Sequence, residues 1–389
     1  MLTRSLFTVL LQDLLGLRSN VRQNRYHIES ALKWLMRAQD VSGGGGVSVG
    51  YSFIKGWLPD YIETTGYTIS TLLESSLFFK DSLLIKRAKK MANFLVNMQL
   101  NNGGYRTYPP SQVKDSRPTI FNTAQDLIGM ADIYRATFNK IYLKSLIQAA
   151  NFLVRFQNKD GSWTKYSYDG LSHSYDTRVA FALIKAYMVS KNSNYLASAN
   201  KNLEWALSLQ NRNGWFINAQ LPPPNPKVPY THTIAYTIEG FLLSGLVLDE
   251  EKYILVAKKT ADAILEYYFK NNYLPGTMDS NWNSSDKYSC LVGDAQLSGI
   301  WLRLYLTNGD LKYLNGAKKL NYYLKSCQTS DTKDIHIRGG IKGSQPIYGD
   351  ILKGRGYSRL TYINWAAKYF IDSLLLEEIV TNNKKPQFI

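Results

Sequence analysis

The stretch Ala150–Trp163, ANFLVRFQNKDGSW, returns along the chain, and its recurrence limits what the chain can fold into. Phe152, Gln157, Gly161 and Trp163 have counterparts at the same or nearly the same offsets in Phe94, Gln99, Gly103 and Tyr105, and in Trp205, Gln210, Gly214 and Phe216. Trp34, Gln39 and Gly43 keep the first three members, and Tyr323 with Gln328 keep the first two. The glutamines lie 60, 58 and 53 residues apart, and the last gap of 118 holds a worn copy around Ile264 and Phe269. Six units of about 55 residues therefore cover the chain, which is the mark of a repeat architecture.

Each unit carries two helical patterns. The one that ends at the glutamine is amphipathic, as in SLLIKRAKKMANFLVNMQ, with Lys and Asn on its polar side. The other is apolar nearly all round, as in IAYTIEGFLLSGLVL, and so has to be covered on both sides. An outer amphipathic helix paired six times with a buried inner one predicts an all-α (α/α)6 toroid, a double ring. The glutamine amide then has a task at the end of an outer helix, bonding backbone groups while the following glycine lets the chain reverse. The expected layout is an amphipathic segment over 1–23, one toroid over 24–380 and a tail over 381–389.

The Phe152-to-Trp163 motif resembles the QW repeat of squalene–hopene cyclases and of the wider terpene cyclase and protein prenyltransferase toroids. That resemblance implies the double ring but not the reaction, since a fold hosts many chemistries. The acid motif of the cyclases, Asp-x-Asp-Asp, is missing, and Cys290 has no Asp-x-Cys partner for a prenyltransferase zinc site. The tail segments GGIKGSQPIYGD and INWAAKYFIDSLLLEE resemble toroid proteins of bacterial exopolysaccharide synthesis.

Two cysteines, Cys290 and Cys327, supply no disulfide framework, and no stretch is long and apolar enough to span a membrane. The opening MLTRSLFTVLLQDLLGLRSN is broken by Gln12 and Asp13, so it reads as a helix capping the ring rather than a signal peptide. These features predict a cytoplasmic protein, with room for contact with the inner membrane face through residues 1–20. The formal net charge is +16, yet no nucleic-acid motif accompanies it.

The connections from inner to outer helix are short and those from each glutamine to the next inner helix are long. Long loops on one face of a repeat array build the binding face, and there the inner helix N-termini favour anions. Stacking aromatics are plentiful on these loops, which points to an acidic, uronate-type oligo- or polysaccharide. The chemistry expected is C5 proton abstraction by a lyase or epimerase, with His173, His232, Tyr175 and Tyr236 as acid and base. His173 and His232 stand at matching places in adjacent repeats and are expected to face each other. Tyr61, Glu63, Asn122, Asp126, Arg178, Tyr230, Asp294, Arg359 and Asn364 would bind substrate, with no metal or other cofactor. Asp176, Asp294 and Asn122 also suit helix capping. The second reading is a glycoside hydrolase with a carboxylate pair drawn from Asp60, Glu63, Asp126, Asp176 and Glu239. An isoprenoid-binding protein or a non-catalytic glycan scaffold is the third.

Overall fold

A computed structural model describes residues 4–43, 45–114, 116–221 and 228–382; the first three residues and positions 383–389 of the expected tail lie outside them. After α1 (Arg4–Leu14), twelve helices alternate between two layers. The outer ones are α2 (Asn24–Asp40), α4 (Ser82–Met98), α6 (Lys140–Arg155), α8 (Ser193–Leu207), α10 (Glu251–Asn271) and α12 (Leu311–Cys327). The inner ones are α3 (Ile62–Phe79), α5 (Ile120–Thr137), α7 (Thr177–Ser190), α9 (Thr231–Leu248), α11 (Leu291–Asn308) and α13 (Asn364–Thr381). Each inner helix packs on the next, and α13 packs back on α3, so the ring is closed. Small residues let the inner helices approach: a Cβ on Gly129 would lie 2.0 Å from the Gly66 carbonyl oxygen across the α3–α5 contact.

The inner-to-outer turns repeat one device. A residue in left-handed conformation ends the inner helix (Lys80, Phe138, Lys191, Asp249, Gly309), and the next residue starts the outer one, capping it with its side chain in every case but Glu250. Asp81, Asn139, Asn192 and Asp310 each accept a hydrogen bond from the backbone N–H two residues on. A two-residue reversal suffices because both orphan ends are satisfied within it.

The repeated glutamines staple neighbouring outer helices. Gln99 Nε2 donates to Gly103 O at 2.8 Å and to Ser145 O of α6 at 2.9 Å, while its Oε1 accepts from the Ser145 hydroxyl. Gln157 does the same with Gly161 and Ser198 of α8. Gln39 reaches Arg87 O of α4, and Gln210 reaches Val256 O of α10. Gln328 closes the series on α2, donating to His27 O at 3.1 Å and lying 2.5 Å from His27 Nδ1. The turn glycines Gly103 and Gly161 both sit at φ 95°, and a Cβ on either would lie 2.3 Å from a carbonyl oxygen of the next outer helix. Only glycine fits there.

The long loops gather at one end. The loop after Gln39 leads into β1 (Gly50–Ser52). This strand pairs antiparallel with β2 (Gly56–Trp57) and with β5 (Thr361–Ile363), tying the first long loop to the last. A second pair, β3 (Ser289–Cys290) and β4 (Ser344–Gln345), ties the fifth loop to the last.

Candidate active site

The N-terminal turns of the inner helices carry the predicted residues inward. Glu63 stands in the first turn of α3, where the Tyr61 hydroxyl donates to it at 2.9 Å. Burial lifts its carboxyl to about 7, against the pull of Tyr61 and Arg178. Asp126, two turns into its helix, is held well above the ordinary carboxylate range by burial and then by Glu63. Asn122 accepts from the Tyr168 hydroxyl at 2.8 Å, and its amide nitrogen is buried without a hydrogen bond in the protein.

His173, Tyr175 and Asp176 ride on the short 3-10 turn that leads into α7. The His173 and Tyr175 rings stack with centroids 4.6 Å apart, and both His173 Nε2 and the Tyr175 hydroxyl are buried without a partner in the protein. Asp176 turns back to accept from the His173 backbone N–H, and burial pushes its carboxyl to about 8. Its position is that of a cap.

The two imidazoles do not face each other directly. Three rings stand between them in sequence: Tyr175, Phe121 at 5.2 Å, Tyr236 a further 5.1 Å on, and then His232 at 4.3 Å. Phe121 from α5 fills the gap that the equivalence of the two repeats leaves open.

His232 ends a polar chain. Its Nδ1 lies 2.6 Å from Gln296 Oε1; Gln296 Nε2 donates to Glu239 at 3.1 Å; Glu239 pairs with Arg178 at 3.4 Å. A carboxylate paired with arginine only accepts, so Gln296 turns its NH2 toward Glu239 and its oxygen toward the imidazole. His232 therefore carries its proton on Nδ1, and Nε2 is the lone-pair nitrogen. Burial first, and Arg178 after it, lower the imidazole to about 4 although the Gln296 bond opposes them. Arg178 also donates to Gln125 Oε1 at 3.0 Å and lies over the Tyr236 ring.

Tyr67, Gln125, Tyr236, Gln296 and Tyr369 are each the sixth residue of their inner helix, and with Arg178 they form one layer across the axis. Toward the short turns this layer roofs a cavity of about 520 Å³ with leucines from α9, α11 and α13 on one side and the buried Lys185–Asp132 pair on the other. Sequence reasoning gave no sign of that cavity. His173, Asn122 and His232 lie beyond the layer, on the long-loop side, among the half-buried rings of Tyr61, Tyr168, Tyr357 and Trp365.

Three expected binding residues stand apart. Asp294 is wholly buried beside Ser289 and the phenols of Tyr268, Tyr273 and Tyr323, on the outer side of α11. Asn364 donates to Ser48 O and Thr64 Oγ1, pinning the small sheet to α3. Arg359 is exposed and donates to Gly354 O. Tyr230 does join the site, its ring 5.0 Å from Tyr357, and burial lifts its phenol to about 12.

A sequence model of the ulvan lyase N-terminal domain matches residues 88–294, more than half of the chain. The chain belongs to this family. Its fold is shared with an unsaturated glucuronyl hydrolase specific for heparin, at 17% identity and a TM-score of 0.68, over 92% of this chain and 98% of that one. It is shared also with a sugar epimerase from a ruminal bacterium (12%, TM-score 0.70, 93% and 98% covered). A cellobiose 2-epimerase from Bacillus thermoamylovorans matches at 12% and TM-score 0.69, over 97% and 99%. No curated protein matches the chain. These likenesses identify an α/α toroid of the kind that carries glycan-active enzymes, and none of those reported is a terpene cyclase.

Proposed function

We propose that the protein acts on an acidic, uronate-containing glycan by abstracting the proton at C5 of the uronate ring, as a lyase or C5-epimerase. The observation that carries this reading is the set of three buried atoms, Asn122 Nδ2, His173 Nε2 and the Tyr175 hydroxyl, that make no hydrogen bond in the protein, with a neutral imidazole of defined lone pair, His232, across the Phe121 and Tyr236 rings. Membership of a family named for a uronate-polymer lyase supports the same substrate class.

The roles divide by proton affinity. Burial holds the phenols of Tyr175 and Tyr236 well above their ordinary value, so at neutral pH they are acids and not bases. The base is therefore His232, whose Nε2 takes the C5 proton. The C5–H electron pair moves into the carboxylate, where the Asn122 amide and the nearby guanidinium of Arg178 stabilise the doubled negative charge. Elimination follows when that pair returns to form C4=C5 and the C4–O bond breaks, Tyr175 giving its proton to the leaving oxygen. In epimerisation the pair at C5 instead recaptures a proton from the opposite face. A sugar lying across Phe121 and Tyr236 would reach both groups.

Hydrolysis is the second reading, and Glu63 favours it: a carboxyl near 7 with Asp126 close by suits a general acid. The deciding experiment incubates the protein with acidic glycans in heavy water. The expected result is new far-ultraviolet absorbance from an unsaturated uronate, or deuterium at C5. New reducing ends without either signal would assign the reaction to hydrolysis. The setting in exopolysaccharide assembly is part of the same proposal and rests on the likeness of the tail segments.

A further inference from the structure

Helix α1 is held to the ring and at the same time shows a second apolar face to the outside. Leu6, Val9 and Asp13 form its buried side. Asp13 accepts from Lys342 Nζ at 2.7 Å, from Gln345 Nε2 at 2.7 Å and from the Ile347 N–H at 2.6 Å. A carboxylate so fully satisfied fixes the rotation of the helix about its axis. Facing away are Phe7, Leu11, Leu14 and Leu15, exposed by 61%, 42%, 72% and 61%, and Leu17 just beyond at 56%. Residues at i, i+4, i+7 and i+8 make one continuous stripe. The third side, Arg4, Ser5, Thr8 and Gln12, borders a polar groove shared with Arg18 and Lys333. The helix is thus apolar outward, polar on one flank and anchored on the other.

We infer that this face docks on an anionic lipid surface. The stripe exposes more large apolar side chains than a solvated helix keeps without a partner. Arg4, exposed, and Arg18, which reaches the surface 4.0 Å from the already satisfied Asp13, bracket it, and the whole chain carries a formal charge of +16, so a negatively charged bilayer is the complementary partner. No helix among the described residues is long and apolar enough to cross a membrane, and α1 has 11 residues, so the contact lies in the interface plane. Docking sets the long-loop end toward the lipid, because α1 lies beside Cys327 at the end of α12 and Thr329 and Gln345 of the last long connection.

The test is co-sedimentation of the full chain with vesicles of phosphatidylcholine alone and of equal parts phosphatidylcholine and phosphatidylglycerol. Binding is expected to the anionic vesicles only, to fall as salt rises, and to drop about ten-fold or more in the triple variant Phe7→Ser, Leu11→Ser, Leu14→Ser. The control triple Leu83→Ser, Ile141→Ser, Leu311→Ser, on exposed starts of outer helices, should bind like wild type. Arg4→Gln with Arg18→Gln leaves the apolar stripe whole and should weaken binding at low salt; it serves if the first triple fails to fold. Equal binding to both vesicles, no binding, or equal loss in the control triple overturns the inference. So does self-association in sedimentation velocity that the α1 triple abolishes while vesicles remain unbound, which would give the face to a second copy of the chain.

Discussion

Changing Gln296 to Glu places a carboxylate where an amide oxygen now lies 2.6 Å from His232 Nδ1. A carboxylate at hydrogen-bond distance stabilises imidazolium and raises its pKa by about 1–3 units. Starting from about 4, His232 should then titrate between about 5 and 7. Glu239, 3.1 Å from the Gln296 amide nitrogen, repels the new charge and keeps the shift toward the lower end. Gln296→Leu acts differently: it removes the group that selects the Nδ1–H tautomer. Losing one buried hydrogen bond of about 1–2 kcal/mol lowers the competent population, and with it kcat, by about 5- to 30-fold with little change in KM. The assay is nitrogen-15 NMR of the imidazoles, which is simple because the chain has four histidines, with His232→Gln giving the assignment. The reasoning fails if His232 titrates near its ordinary 6.5, carries its proton on Nε2 at neutral pH, or is unmoved by Gln296→Glu.

Gln157→Ala should destabilise the fold by about 1–2 kcal/mol in urea titration, because it removes the hydrogen bonds to Gly161 O and Ser198 O and the acceptor of the Ser198 hydroxyl while Asn202 still bonds Gly161 O, and it should leave substrate choice alone. Asp176→Asn should raise Tm increasingly as pH climbs. A carboxyl whose folded value is about 8 contributes fully below its ordinary 3.8 and loses that contribution as pH rises through 8, whereas the amide still accepts from His173 N–H and does not ionise. Glu63→Gln separates the two reactions: about 100-fold or more loss of turnover indicates hydrolysis through a general acid, and near-normal elimination indicates His232 as base. Acidic glycans should bind more weakly as salt rises, read by calorimetry, with neutral ones unaffected.

The double ring was readable because its period is written twice, in the glutamines and in the alternation of amphipathic with wholly apolar helices. The glutamine's second partner was not readable. Bonding to Arg87, Ser145, Ser198 or Val256 depends on which helix lies alongside, and the offset within the repeat does not state it. The site was half legible. First-turn residues such as Glu63, Asn122 and His232 follow from the expected N-termini, but Asp294 and Asn364 occupy similar turns and point elsewhere, since one residue of difference rotates a side chain by about 100°. Gln125 and Gln296 were missed as organisers of the site. Their signal was available: both share the sixth helical position with Tyr67, Tyr236 and Tyr369.

The bond from Gln328 to His27 spans 301 residues and does for the two ends of the ring what Gln99 does for neighbours 46 apart. An open array of repeats gains stability with each unit added; a ring gains its last seam only when the sixth unit arrives. During synthesis the α2 edge must wait, apolar flank uncovered, until α12 and α13 have left the ribosome, so the order of translation and the order of sealing are opposed. A circular permutant opened at the two-residue turn Asp249–Glu250 would move that waiting edge to α10. Its refolding rate would then report how much of the folding barrier is the seam itself.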